Sequence, residues 1–187
     1  GLTILGGDIS SGSPFKTFCV EIGETLTGST ASYSFGVSDQ AVLGGASPDE
    51  PQPLAFQTAY LYTQYRAVLA GSASDIGGVS FSQASSSDVS ALQDAIWFFQ
   101  QQFGAGASQA PLSAKAEDFV DAANAAGWTS IGNVRVLNIG GPTTGGDGTV
   151  YPNGANQDLL VLIPLPQGVG LASVGLLVLG ARRRRGI

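Results

Sequence analysis

Residues 87–103, SDVSALQDAIWFFQQQF, carry the strongest helical pattern of the chain and, because strand-like segments lie on both sides, decide the predicted fold class. Apolar side chains recur there at helical spacing and form one stripe: Leu92, Ala95, Ile96, Phe99 and Phe103. We expect Ser87 to cap this helix, with Asp88 at its first position, where a carboxylate interacts favourably with the helix dipole. Gly104 is predicted to end the helix.

Two more helices are predicted, one on each side of this segment. The first covers residues 54–69 and follows Pro53, which a first helical turn tolerates. The other covers residues 113–126 and ends before Gly127. The side chains expected to face inward are Phe56, Ala59, Tyr60, Thr63 and Ala67 in the first of these helices, and Ala116, Phe119, Val120 and Ala123 in the other.

Strands are predicted before and after the helices. They cover residues 15–22, 32–37, 134–139, 149–151 and 159–163. We therefore predict an α+β, β-dominated fold, a β-sandwich or barrel-like sheet with about three inserted helices and a C-terminal apolar helix. The β-rich body is expected to cover residues 1–163, and a separate tail residues 164–187.

Composition excludes several classes of function. Only 12% of the 187 residues are charged, there is no His, and there is one Cys. Without His the chain lacks the commonest general base and metal ligand, so we predict a non-enzymatic protein without a cofactor. Half of the basic residues are Arg182–Arg185, so the rest of the chain is strongly acidic and no nucleic-acid partner is expected.

Calcium is the alternative to the absence of a cofactor. Four side chains in a loop-rich stretch could supply oxygen ligands: Asp147, Asn153, Asn156 and Asp158. Their spacing is not that of an EF-hand, and such clusters are usually turns. No calcium site is therefore predicted from them.

The C-terminal sequence has three parts. Pro164-Leu165-Pro166 is followed by the apolar stretch 169–180 and then by Arg182, Arg183, Arg184 and Arg185. This pattern resembles the PEP-CTERM class of bacterial sorting tails, and in particular its VPLPA variant, although Leu165 stands where the first class has Glu. The resemblance implies recognition by an exosortase-type enzyme, transient contact with the membrane, and a secreted or cell-surface location.

An apolar tail also has to be buried. A helix over residues 169–180 spans about 18 Å, short of a hydrocarbon core of about 30 Å. We expect it to pack on a neighbouring copy of the chain, since head-to-tail contacts that do not close generate filaments. Packing on its own domain and insertion into a membrane are the alternatives.

The single cysteine, Cys19, lies in a predicted strand. Thr17, Cys19 and Glu21 are expected on one face of that strand, opposite Phe18, Val20 and Ile22. An unpaired Cys is usually a small buried hydrophobic residue. In an exported protein it is also a candidate reactive thiol.

Two short segments give Cys19 a second interpretation. Phe18-Cys19-Val20-Glu21 and Gln93-Asp94-Ala95-Ile96-Trp97 together resemble the thioester (TQXA-type) domains of bacterial surface adhesins. The resemblance implies that Cys19 and Gln93 condense, with loss of ammonia, into an internal thioester that captures an amine on a partner. Leu92 stands where that family has Thr.

The sequence thus favours an exported bacterial surface or extracellular-matrix structural protein that self-assembles into a filament or sheath. The alternative is a thioester adhesin domain acting through Cys19 and Gln93.

Overall fold

A computed structural model describes residues 16–23, 35–42, 51–104, 112–139, 143–144, 150–151 and 157–163. These residues form three α-helices and small antiparallel sheets, which confirms the predicted α+β class. The helices are α1 (Phe56–Leu69), α2 (Ser86–Phe99) and α3 (Ala114–Ala125). The strands are β1 (Phe35–Ser38), β2 (Gln40–Ala41), β3 (Gln52–Pro53), β4 (Asp75–Ile76), β5 (Val79–Ser80), β6 (Val134–Ile139), β7 (Thr143–Thr144), β8 (Val150–Tyr151) and β9 (Leu159–Leu162).

The main sheet has three antiparallel strands in the order β1-β6-β9. Val37 pairs with Leu137, and Leu137 pairs in turn with Leu159. On the free side of β9, the segment 16–22 adds a single bridge, Cys19 with Leu159. The central strand β6 coincides with its predicted range, β1 ends one residue later than predicted, and β9 ends one residue earlier than predicted; the predicted start of β1 at residue 32 lies outside the described residues.

Strands do not dominate among the described residues. The helices are 12 to 14 residues long, whereas β6 is the longest described strand at six residues. Nor do the described strands close a barrel, because the main sheet ends at β1 on one side and at the segment 16–22 on the other. The predicted strand 15–22 is a single bridge in the structure, since side chains rather than a further strand bond to its outer edge.

The ends of α1 and α2 differ from the predicted ones, and in each case a local extended residue, cap or turn explains the difference. α1 begins two residues later than expected, because Pro53 belongs to β3 and Ala55 is extended. Ser85, not Ser87, caps α2: its hydroxyl accepts a hydrogen bond from the Asp88 main-chain N–H. α2 ends at Phe99 rather than at residue 103, since Gln101 has a φ of 55°.

The helices share one apolar core with the inner face of the main sheet. All four inward residues predicted for α3 are buried, whereas Phe56 of α1, expected inside, is 45% exposed. Thr63 and Ala67 are only partly buried, as are Phe99 and Phe103. α1 packs against α2, α3 and the sheet, so it buries a wider face than one stripe, including Leu61, Tyr62 and Tyr65.

The two faces of the main sheet belong to different clusters. Val134 and Val136 of β6 pack into the helical core, and Leu137 and Ile139 join Leu159 and Val161 in a second, smaller cluster. This split follows the two-residue period of strands. Phe18 and Val20 lie in the helical core and Cys19 packs on the second cluster, which confirms the predicted alternation at these three residues.

A buried polar cluster joins the chain segments at the margin of the sheet. The Asp158 carboxylate accepts hydrogen bonds from the main-chain N–H groups of Val42 (2.9 Å) and Ile139 (3.1 Å) and from Asn138 Nδ2 (2.7 Å). The Glu21 carboxylate accepts one from the main-chain N–H of Asp158, at 3.1 Å. Burial nevertheless raises the pKa of Asp158.

Candidate functional site

Cys19 lies beside β9, and its own main-chain N–H and C=O groups point away from that strand. Its neighbours make the bonds to β9: the Leu160 N–H donates to Phe18 O, and the Val20 N–H donates to Asp158 O, both at 3.0 Å. Cys19 and Leu159 are therefore a non-hydrogen-bonded antiparallel pair, in which the bridged residue's N–H and C=O point to the other side. These two groups need partners from elsewhere.

The side chain of Gln93 supplies both partners. The Cys19 N–H donates to Gln93 Oε1 at 3.0 Å, and Gln93 Nε2 donates to the Cys19 carbonyl oxygen at 2.8 Å. The structure thus brings together the two residues singled out in the sequence, although they are 74 positions apart. One amide group takes the place that a neighbouring strand would occupy.

The helix α2 positions Gln93 through its apolar neighbours. Leu92 and Ile96 are fully buried in the helical core, and Gln93, next to Leu92, lies at the border of that core and is only partly buried. The N-terminus of α2 is held by the Ser85 cap and by an ion pair between Asp88 and Lys115 of α3, at 2.6 Å. The position of Gln93 is therefore set by packing on one side and by its two hydrogen bonds on the other.

The Cys19 thiol is largely shielded from solvent and lies near the carboxylate of Glu21. It packs against the cluster of Leu137, Ile139, Leu159 and Val161. Burial raises its pKa to about 11, and the nearby charge of Glu21 adds to the increase. At neutral pH a free Cys19 is consequently a neutral thiol and a weak nucleophile.

Two openings flank the Cys19–Gln93 pair. A cavity of about 540 Å³ is lined by Cys19, Lys16, Tyr65 and Leu159 among others, and we call it the Cys19 cavity. A smaller one of about 260 Å³ lies between the segment 16–22 and α2, with Gln93, Asp94 and Trp97 in its wall; we call it the Gln93 cleft. Thr17, Phe18 and Val89 line both, so the openings are adjacent.

Sequence reasoning missed two further glutamines that hold the same segment. Gln102 Oε1 accepts a hydrogen bond from the Ile22 N–H at 2.9 Å, and Gln157 Nε2 donates to Glu21 O at 3.1 Å. The run of three glutamines at 100–102 is the signal that could have pointed to Gln102. With Gln93, these side chains hold residues 19, 21 and 22 of the segment.

The other predicted site residues are not assembled into a site by the described residues. Asp158 is buried and its carboxylate accepts three hydrogen bonds, and Asp147, Asn153 and Asn156 lie outside the described part of the chain. In that part no group of three or more acidic, Cys or His side chains could hold a metal ion.

The predicted sorting motif also lies outside the described residues. Pro164, Leu165, Pro166 and Arg182–Arg185 follow Ile163, the last residue that the structure describes. Among the helices that are described, none has the length and apolar character needed to cross a membrane.

No protein-family model, no curated protein and no solved structure matches the chain.

Proposed function

We propose that the chain is an exported surface protein whose body forms an internal thioester between Cys19 and Gln93 and uses it to capture an amine. The supporting observation is the pair of hydrogen bonds, 3.0 and 2.8 Å long, between the Gln93 amide and the main chain of Cys19. The interpretation that the sequence ranked second is therefore the one that the geometry supports best.

The contact suits the first chemical step. The Cys19 sulfur attacks Cδ of Gln93, the C–N bond breaks, and the nitrogen leaves as ammonia with the thiol proton. Gln93 Oε1, where negative charge develops, already accepts a hydrogen bond from the Cys19 N–H, as in an oxyanion hole. Sγ is two bonds from the Cα of Cys19, and the N–H and C=O of this same residue hold the amide, so the thiol and the amide carbon belong to residues in direct contact.

The raised thiol pKa bears on the lifetime of the thioester before the second step. A sulfur of high pKa is a reluctant leaving group, so a thioester on Cys19 should be long-lived until an amine reaches it. The amine then bonds to Cδ of Gln93, the C–S bond breaks, and Cys19 recovers its proton as a thiol. The product is an amide that links Gln93 to the partner, and the reaction needs no metal and no His.

Intact mass of the full chain tests the proposal. We expect a mass lower than that of the sequence by one ammonia, and a gain of one methylamine after incubation with that amine. Cys19→Ser, which keeps the main-chain hydrogen bonds, and Gln93→Ala should both have full mass. Gln102→Ala is the matched control, because Gln102 also bonds to the segment 16–22 but contacts Ile22 instead of Cys19, and it should keep the deficit. A wild-type chain of full mass would overturn the proposal.

Self-assembly into a filament or sheath is the second candidate, and β1, the outermost strand of the main sheet among the described residues, favours it. Phe35 and Val37 are 36% and 46% exposed there, and an apolar edge strand invites pairing with another chain. The C-terminal apolar stretch 169–180 and Arg182–Arg185 support export and a contact between copies. Electron microscopy of the purified full chain tests it: ordered polymers support this candidate, and a monodisperse monomer at high concentration contradicts it.

A further inference from the structure

The Gln93 cleft contains a carboxylate without a partner. Asp94 follows Gln93 directly on α2 and is partly buried, and it has no hydrogen bond or ion pair among the described residues. Burial raises the pKa of this carboxyl group. A desolvated carboxylate gains most from a cation that approaches it.

A second group in the same wall is also unpaired. The indole Nε1 of Trp97 is buried and has no hydrogen-bond partner among the described residues. An ammonium group is a donor and cannot pair with this N–H, so Trp97 favours a cation only through its ring in the wall of the cleft. Aromatic walls also suit cations, because the ring face attracts positive charge.

The Cys19 cavity has the opposite charge. Lys16 lines it, and its ammonium group has no carboxylate partner among the described residues, only Gln83 Oε1 at 3.4 Å. A positive group in the wall repels an approaching cation. The two openings beside the same acyl group therefore differ in which nucleophiles they admit.

We propose that the amine reaches the acyl group of Gln93 through the Gln93 cleft, as an alkylammonium group that pairs with Asp94, and not through the Cys19 cavity. This inference rests on the proposed thioester. Asp94 is a positioning residue: it concentrates cationic nucleophiles beside Cδ of Gln93 and forms no bond to the reacting carbon. A lysine side chain fits the cleft, since it carries a single cation on an unbranched apolar stem.

The nucleophile bonds in its neutral form, and the atoms balance without a further reagent. The ammonium group loses one proton to solvent, its nitrogen bonds to Cδ of Gln93, and the C–S bond to Cys19 breaks. A second proton leaves the nitrogen as the amide forms, and Cys19 takes up one as its thiol.

The test compares a cationic and an uncharged nucleophile on the full chain. Capture of cadaverine, a cation, and of hydroxylamine, which is uncharged near neutral pH, is followed by intact mass. We expect Asp94→Asn to slow cadaverine capture roughly tenfold, the loss of one charge-assisted contact, and hydroxylamine capture by less than about twofold. Asp94→Glu should restore most of the cadaverine rate.

Two further variants complete the test. Asp121→Asn removes a charge from the exposed face of α3 and should leave both rates unchanged. Lys16→Gln should leave cadaverine capture within roughly twofold of wild type, whereas a large increase would place the approach at the Cys19 cavity and overturn the inference. Equal slowing of both nucleophiles in Asp94→Asn would show a structural role and also overturn it.

The two proposals fail in different ways. If the wild-type chain lacks the mass deficit, the thioester is absent and both are wrong. If the deficit is present but Asp94→Asn captures cadaverine at the wild-type rate, the thioester stands and only the role of Asp94 is overturned.

Discussion

The two layers of the molecule are stabilised by opposite means. The helices pack through apolar and aromatic side chains, and a row of ring contacts runs from Phe18 through Tyr65 and Phe81 to Phe119 at centroid distances of 4.7, 5.8 and 6.3 Å. The margin of the main sheet is instead held by polar groups, with three hydrogen bonds on the carboxylate of Asp158.

The difference explains how α2 serves both layers. Leu92 lies in the apolar core, and its neighbour Gln93 bonds to the main chain of Cys19. Apolar packing is not directional, so it fixes where the helix lies but not which atoms meet. Hydrogen bonds require defined distances and angles, and they determine that the Gln93 amide meets Cys19 and not a neighbouring residue.

The largest expected effect is on the helical layer. Phe119→Ala removes a fully buried ring and should lower the free energy of unfolding by about 3–5 kcal/mol. Phe56→Ala, at an exposed site of α1, is the control and should change it by less than about 0.5 kcal/mol. Denaturant unfolding measures both. Similar losses in the two variants would contradict the division into layers.

The second largest loss of stability is expected at the polar margin of the main sheet, around Asp158. Asp158→Ala leaves the buried N–H of Ile139 and the amide of Asn138 without their acceptor, and we expect a loss of roughly 2–4 kcal/mol. Burial raises the pKa of Asp158, so its ionised form is penalised in the folded state. The contribution of Asp158 to the free energy of unfolding should therefore be complete below its ordinary pKa of 3.8 and fall as the pH rises above that value. The variant should lack this pH-dependent part. Asp118→Ala, on the exposed surface of α3, should show neither change.

Gln93 and Gln102 allow a matched comparison within the margin. In the chain before condensation, Gln93→Ala removes two hydrogen bonds to Cys19 and should cost roughly 2 kcal/mol. Gln102→Ala removes one bond to Ile22 and a longer local one to Gln100 O, at 3.2 Å, and should cost less, about 1 kcal/mol. Thermal unfolding at one pH gives the ranking. A larger loss for Gln102→Ala would mean that the Cys19 contact contributes little to the fold.

Loss of a helix cap should lower the free energy of unfolding by a smaller amount, and by the same amount at α2 and α3. Ser85 and Ser113 cap α2 and α3 through hydrogen bonds from Asp88 N and Ala116 N. Each Ser→Ala change should cost about 1 kcal/mol. If the Ser85 variant alone also slowed amine capture, the position of α2 would depend on its cap more than on its packing.

The smallest effect concerns the free thiol, as it exists after amine capture. Because burial raises the pKa of Cys19 to about 11 from an ordinary value of 9.0, alkylation should be slow at pH 8 and accelerate towards pH 11. Between these two pKa values the unfolded thiol ionises first, so the free energy of unfolding should fall as pH rises from 9 to 11. Cys19→Ser should lack that decrease, and rapid alkylation of the amine-treated chain at pH 7 would contradict the burial of the thiol.

The sequence predicts the helical layer better than the sheet. The inward residues of α3 and the extent of β6 are as expected because period and capping are local signals. The predicted capping residue of α2 is wrong by two positions, since three successive residues, Ser85 to Ser87, offer hydroxyl groups and only geometry selects Ser85. The exposure of Phe56 is likewise decided by which neighbours surround α1.

The candidate site is only partly accessible from the sequence. A family resemblance singles out Cys19 and Gln93, but no local pattern predicts that the Gln93 amide bonds to both polar groups of one residue. That contact depends on the bridge between Cys19 and Leu159, which joins positions far apart in the chain. The Asp158 cluster was missed for the same reason, because its donors come from two segments far from it in the chain, at Val42 and in β6.

The amide of Gln93 also sets the width of the main sheet. A neighbouring strand would bond at every second residue along the edge, whereas a side chain bonds at one residue only. The segment 16–22, outermost on this side of the sheet, is therefore bonded at Cys19 by a side chain of α2. A single substitution at residue 93 would leave the N–H and C=O of Cys19 without these partners. Covalent use of Gln93 would alter the cover of this edge, which lies on the side of the main sheet opposite to β1.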